Sequence, residues 1–439
     1  MSTHPDRSFA LLLLALLTMC PLAIEAQMFR DDARHSGLAP GSGAHSLHGV
    51  RWRYKTDAAV VSSPIVSGDT LYFGSMDHVF YALDKHTGTL RWKFPTQGRI
   101  ASSPAVVDGV VYFGSYDSAF YALDSTSGAL LWKFSTAGER RFSGSHLHGA
   151  QPAAEVMPDP FDVFLSSPAV ADAAVFFGSG DGNVYALNAR TGTLLWKFQT
   201  GNVVHASPAI ADGMVYVGSW DSYFYALDEA SGRERWRFKT GEDPAIHNQQ
   251  GIQSSAVVAD GMVYFGCRDS HLYALDARSG SKRWEFSTGD SWVVSSPAVR
   301  DGVVYFATSD SGLVEGLDAR TGRAIFSLDF KQWPFFSSPT IAGDLLYIGS
   351  NQGRVVAIDV EGRRVRWSFE TDGSRQKGAP YTKADGTPNY RAVVSDSFYD
   401  QLIIGNERLM NIGAVVSTPA VDGDMVYFGS WDGNLYAIG

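Results

Sequence analysis

The chain has 439 residues, is 45% hydrophobic and 19% charged, and carries a formal net charge of −10. That is ample apolar material for a packed core. It excludes a nucleic-acid partner, because no run of Lys or Arg could track a phosphate backbone.

Residues 1–26 read as a secretory signal. Arg7 provides the positive start, "FALLLLALLTM" is apolar but too short to span a bilayer, and "AIEA" precedes a cut near Ala26. "LTMC" offers Cys20 as an alternative lipid-attachment site, but Met19 and Pro21 are poor neighbours for it, so cleavage is the expectation. Cleavage leaves Cys267 as the only cysteine, so no intrachain disulfide can form. No second apolar segment follows, and the reading is of a monomer, periplasmic or secreted, with no transmembrane segment.

After a leader at 27–49, the sequence repeats itself. "YALDKHTGTLRWKF" (81–94) returns as "YALDSTSGALLWKF" (121–134), "YALNARTGTLLWKF" (185–198) and "YALDEASGRERWRF" (225–238). Each unit runs from "SSPAV" through "VYFGS" and "FYALD" to "ALLWKF", four short β-branched and aromatic runs separated by Gly, Asp and Ser. One unit is therefore a four-stranded antiparallel meander. A Pro recurs at 64, 104, 168, 208, 297, 339 and 419, with Ala256 in an eighth place. A Trp recurs at 52, 92, 132, 196, 236, 284 and 367, with Phe326 as its substitute. The series are out of phase: the chain opens with a lone outer strand, "VRWRYKT" (50–56), and ends one outer strand short. An all-β, eight-bladed propeller over 50–439 follows, closed by the N-terminal strand completing the last blade. Pro cannot donate to a ladder, so it marks the innermost strand beside the channel.

The signature Ala-x-Asp-x-x-x-Gly-x-x-x-Trp stands intact at Ala82–Trp92, Ala122–Trp132, Ala226–Trp236 and Ala274–Trp284. Asn188 replaces its Asp in the third unit, Phe326 its Trp in the sixth, and Arg363 its Gly in the seventh. This pattern resembles the tryptophan-docking motif of the pyrroloquinoline-quinone (PQQ) propeller family, and the leader "FRDDARHSG" (29–37) looks like the segment that often precedes the first blade. Physically the motif needs no cofactor. Asp84 can bind the amides of its turn, Gly88 supplies a positive φ, and Trp52, Trp92, Trp132, Trp196, Trp236, Trp284 and Trp367 are flat wedges between blades.

The resemblance points two ways. Quinoprotein alcohol dehydrogenases of this family carry a vicinal Cys-Cys disulfide against the quinone and a Glu/Asn/Asp set on calcium, and no stretch here matches either. The outer-membrane assembly lipoprotein of Gram-negative bacteria is a similar, non-catalytic propeller. The first reading is thus a binding or assembly module with no cofactor expected. The alternative is a dehydrogenase holding PQQ with calcium in a divergent site.

Three insertions, at 138–165, 241–253 and 372–416, interrupt the connections between blades, all on one face. Long loops in a compact domain are more often functional than idle. Trp220, Trp292, Trp333 and Trp431 lie on or beside loops of that face, where Met76, Tyr116 and Arg268 share the loop-tip position of Trp220 and Trp431. With Arg140 and Arg141 they form either an exposed surface for a protein, carbohydrate or other small-molecule ligand, or a plug packed beneath the insertions. His146, His148, His205 and His247 serve successive junctions, with Asp243 and Asp162 nearby in sequence. If they converge, they can hold a metal or do acid–base work; otherwise they are ordinary loop histidines.

Overall fold

The computed structural model describes residues 26–147, 152–243, 245–392, 405 and 407–439, so the expected signal (apart from Ala26) and His148 lie outside the described residues. Each repeat forms one four-stranded antiparallel sheet, and eight such sheets make the ring. Blade one runs from axis to rim as Ile65–Ser67, Thr70–Gly74, Val79–Asp84 and Leu90–Pro95. Blades two to seven follow at 105–135, 169–199, 209–239, 257–287, 298–329 and 340–370. Blade eight joins both ends of the propeller: Ala420–Asp422, Met425–Gly429 and Asn434–Ile438 pair in turn, and Val50–Lys55 adds the outer strand.

The two middle strands of each blade are apolar and buried, whereas the outer strands alternate, as in Leu90–Pro95. Rings stack from blade to blade: Phe80 on Phe113 at 4.2 Å, Phe120 on Phe177 at 4.0 Å, Phe224 on Phe265 at 4.1 Å.

The docking motif works across junctions. Trp92 of blade one covers Gly128 of blade two, where a Cβ would lie 2.6 Å from the indole, and it donates Nε1–H to the Ser125 carbonyl at 3.0 Å. Trp52, Trp132, Trp196, Trp236 and Trp284 likewise cover Gly88, Gly192, Gly232, Gly280 and Gly322 and donate to Lys85, Ala189, Glu229, Ala277 and Ala319. The Phe326 and Arg363 departures fall in consecutive blades, the two sides of one such junction. Asp84 accepts from the His86 and Thr87 amides and, at 2.7 Å, from Arg91; these donors hold its carboxyl well below the usual carboxylate range.

Two further devices close the ring. Ser63, at the end of "VSS", donates its N–H to Ser103 Oγ at 2.9 Å; Ser103, Ser167, Ser207, Ser255 and Ser296 pass the bond onward to Ser338, and the Thr418 N–H returns to Ser63 Oγ. The second serine of "SSPAV", with Thr418 in its place in blade eight, thus links seven of the eight junctions around the axis. The leader is the other device. Carbonyls of Gln27, Ala33, Arg34, Ser36 and Gly37 accept N–H bonds from Val106, Ile210, Val258, Val299 and Ile341 on the inner strands of blades two, four, five, six and seven. Arg30, 3% exposed, donates to the carbonyls of Pro297 (2.7 Å) and Pro339, and His35 Nδ1 lies 3.2 Å from the Ala256 carbonyl. Burial lowers the Arg30 pKa to about 10, so it stays a cation at neutral pH. Farther on, Ala44 offers its carbonyl to Trp367 Nε1 at 2.7 Å, supplying the turn that blade eight lacks.

Candidate functional site

The insertions fold inward over the axis. In the first, Asp159 closes a turn by accepting the Phe161 amide, and Asp162 accepts the Phe142 amide from 20 residues earlier, tying the two arms of the insertion together. Asp159 reaches Arg268 at the blade-five loop tip, 2.9 Å away, with both side chains fully buried. The Arg268 guanidinium lies between Trp220 and Trp292, 4.5 and 3.9 Å from their ring centroids. Burial pushes the Asp159 carboxyl up against the opposing pull of Arg268.

Asp162 reaches His205. Its Oδ1 is 2.6 Å from Nδ1, while Glu139 Oε1 is 3.1 Å from Nε2 on the other edge of the ring. Burial drags the His205 pKa down, but Asp162 and Glu139 outweigh it and hold it at about 10, so the ring is an imidazolium donating to both. Glu139 also accepts the Gly180 amide and the Ser179 hydroxyl, and Asp162 the Phe142 amide. These groups are consumed in fastening the insertion to blades three and four. A folded pKa above the ordinary 6.5 contributes stability that is full below pH 6.5 and fades as pH climbs towards 10. The urea midpoint should therefore fall across that window, and His205→Gln should flatten the decline; an equal slope in the variant would assign it to other groups.

The expected histidine cluster divides. His146 and His247 meet each other, rings 5.8 Å apart, with the His247 amide on the His146 carbonyl, while Asp243 caps the Ala245 and Ile246 amides. His205 is bound elsewhere, and among the described residues no group of three or more His, Cys, Asp or Glu is arranged to hold a metal ion. The division has a physical cause: the buried carboxylates of the first insertion claim His205 before any loop histidine reaches it.

For most of the aromatics the packing alternative holds. Trp220 is 1% exposed and stacks on Phe142 at 4.6 Å; Trp292 is buried against Phe161, with Nε1 bonded to Gln249; Trp333 donates to the Gly386 carbonyl beneath the third insertion. Arg268 is buried with them. Each insertion thus covers one of these rings: the first Trp220, the second Trp292 and the third Trp333. Cys267 is a small buried residue. Arg140 is exposed, its backbone pressed on Gly180. Met76, Tyr116, Arg141 and Trp431 remain half-buried.

Met76, Arg141 and Trp431 border what the insertions leave open. A cleft of about 570 Å³ lies where blades eight and one meet the first and third insertions, lined by Lys55, Met76, Arg99, Arg141, Val163 and Trp431 among others. Toward the axis the face is sealed by Phe161, Phe164, Leu165, Trp292, Phe336 and Met410.

A family model described as outer membrane protein assembly factor BamB matches residues 46–157, 148–290 and 248–439. The chain belongs to the BamB family. Solved structures share its fold at low identity. BamB from Moraxella catarrhalis is 16% identical with a TM-score of 0.62, over 89% of this chain and 97% of that one. A europium-containing methanol dehydrogenase is 13% identical with a TM-score of 0.67, over 94% and 97%. The quinohemoprotein alcohol dehydrogenase from Comamonas testosteroni is 14% identical with a TM-score of 0.68, over 94% and 80%. No curated protein matches the chain in sequence. At these identities the neighbours establish architecture alone.

The described residues of the funnel in this member of the BamB family do not fit PQQ with calcium. A planar quinone tricarboxylate needs an open polar slot and a cation needs converging oxygens, whereas the funnel here is packed with phenylalanine, leucine and tryptophan. The buried carboxylates nearest it are spent on Arg268 and His205.

Proposed function

We propose that this protein is an extracytoplasmic binding and assembly module that takes a protein partner on its insertion-bearing face. The observation carrying this reading is the asymmetry of the two faces. One is occupied by short turns and the leader, and the other by three insertions that close the axis and leave a lined cleft beside it. A rigid ring with variable loops on one face suits recognition, and kinship with an assembly factor supports a protein as the ligand. No transmembrane helix occurs among the described residues.

Photo-crosslinking tests the reading. A benzophenone side chain at exposed Arg140 or Glu242 should give protein adducts in the producing cell, and one at Thr126 or Thr191 on the plain face should give none. Adducts from the plain face alone, or from neither face, would overturn it.

A further inference from the structure

We propose that the cleft between blades eight and one is the docking groove for an extended peptide segment that presents a carboxylate beside an apolar side chain. This rests on the reading of the insertion-bearing face as a protein-binding surface and names its site and chemistry.

The loop tips locate it. Trp220 and Arg268 occupy the tip position in blades four and five and are fully buried, and Gly180 in blade three lies under Glu139 and Arg140. The insertions therefore roof those blades. Met76 and Trp431 hold the same tip position in blades one and eight and stay half-buried, facing the cleft. Trp431 presents its half-buried ring in a wall that also offers Met76, Ala59, Pro160 and Val163.

Charge selects the ligand. Lys55, Arg99 and Arg141 line the cleft in a chain whose net charge is −10. Lys55 donates to the Asp432 carbonyl and Arg141 lies beside the Tyr116 hydroxyl, but among the described residues neither arginine is paired with a carboxylate. Three acids share the lining. Asp432 is spent, its carboxylate accepting the Tyr436 hydroxyl and the Gly373, Asn434 donors; Asp57 and Glu407 are exposed and reach neither arginine. Two guanidinium groups that form no ion pair among the described residues, beside tryptophan and methionine, match a carboxylate flanked by an apolar residue.

The test uses the whole mature protein and two fluorescein-labelled synthetic peptides, one alternating leucine with aspartate and one alternating leucine with lysine. The leucine–aspartate peptide should bind, more weakly as ionic strength rises, and the leucine–lysine peptide should not. Arg99→Ala with Arg141→Ala should weaken binding by about tenfold or more. The charge-reversed pair Arg99→Glu and Arg141→Glu should instead take the lysine peptide, a gain that misfolding cannot mimic. Equal binding of both peptides, or affinity unmoved by either pair of substitutions, overturns the groove. If that happens while Arg140 and Glu242 still cross-link a protein, the face stands and only the cleft is wrong; adducts confined to the plain face remove both.

Discussion

Asp159→Ala is expected to lower the free energy of unfolding by about 3–5 kcal/mol, the cost of stranding a buried guanidinium. Arg268 is fully buried between two indole rings, and Asp159 is the anion that touches it. Its Nε and Nη2 have no other partner among the described residues, so the deleted carboxylate has no replacement at hand. Burial nevertheless outweighs Arg268 in setting the Asp159 carboxyl, which means the pair is costly to desolvate as well as costly to break. The double change Asp159→Leu with Arg268→Met should therefore recover most of the loss. Urea midpoints of the single and double variants decide the matter. A shift below about 1 kcal/mol in Asp159→Ala would show that solvent reaches Arg268.

Removing residues 27–39 should be comparably damaging and act at the other end of the axis. Five inner-strand amides would lose their acceptors, each bond contributing about 1 kcal/mol, and Met28 and Arg30 would leave buried positions. The expected loss is on the order of 5 kcal/mol. Hydrogen exchange gives a sharper readout than the midpoint. Amides of Val106, Ile210, Val258, Val299 and Ile341 should exchange faster in the truncated protein, while the equivalent amides of Val66, Val170 and Val421, which no leader carbonyl meets among the described residues, serve as internal controls. Unchanged exchange at the first five would reduce the leader to a passive tail.

The ring was legible because its determinants are local and recur. Alternation, turn glycines and a misphased pair of Pro and Trp series suffice to count blades and to place Val50–Lys55 beside Asn434–Ile438. What Trp92 docks against was less visible, since Gly128 belongs to the next unit and only the assembled junction brings them together. The leader's role was not legible at all: Ala33, Arg34, Ser36 and Gly37 act through backbone carbonyls, which any side chain can accompany. The serine links left a trace in "SSPAV" whose meaning depends on the assembled junctions. At the site, a tryptophan at a loop tip reads the same whether an insertion later covers it, as with Trp220, or leaves it half-open, as with Trp431. The trajectory of a long loop is set by partners such as Arg268 and His205 far along the chain, and no local pattern encodes it.

The seam in blade eight bears on the order of events during folding. Lys55 Nζ meets the Asp432 carbonyl 377 residues away, so this contact can form only after nearly the whole propeller has been made. Until then the nascent protein is an open arc with an unpaired strand at each tip, slow to complete and prone to pair with a neighbour. The leader precedes every blade in the chain, and its carbonyls bond to blades two, four, five, six and seven. In the closed ring it ties five of the eight blades to one short segment, a brace that the seam in blade eight does not itself provide.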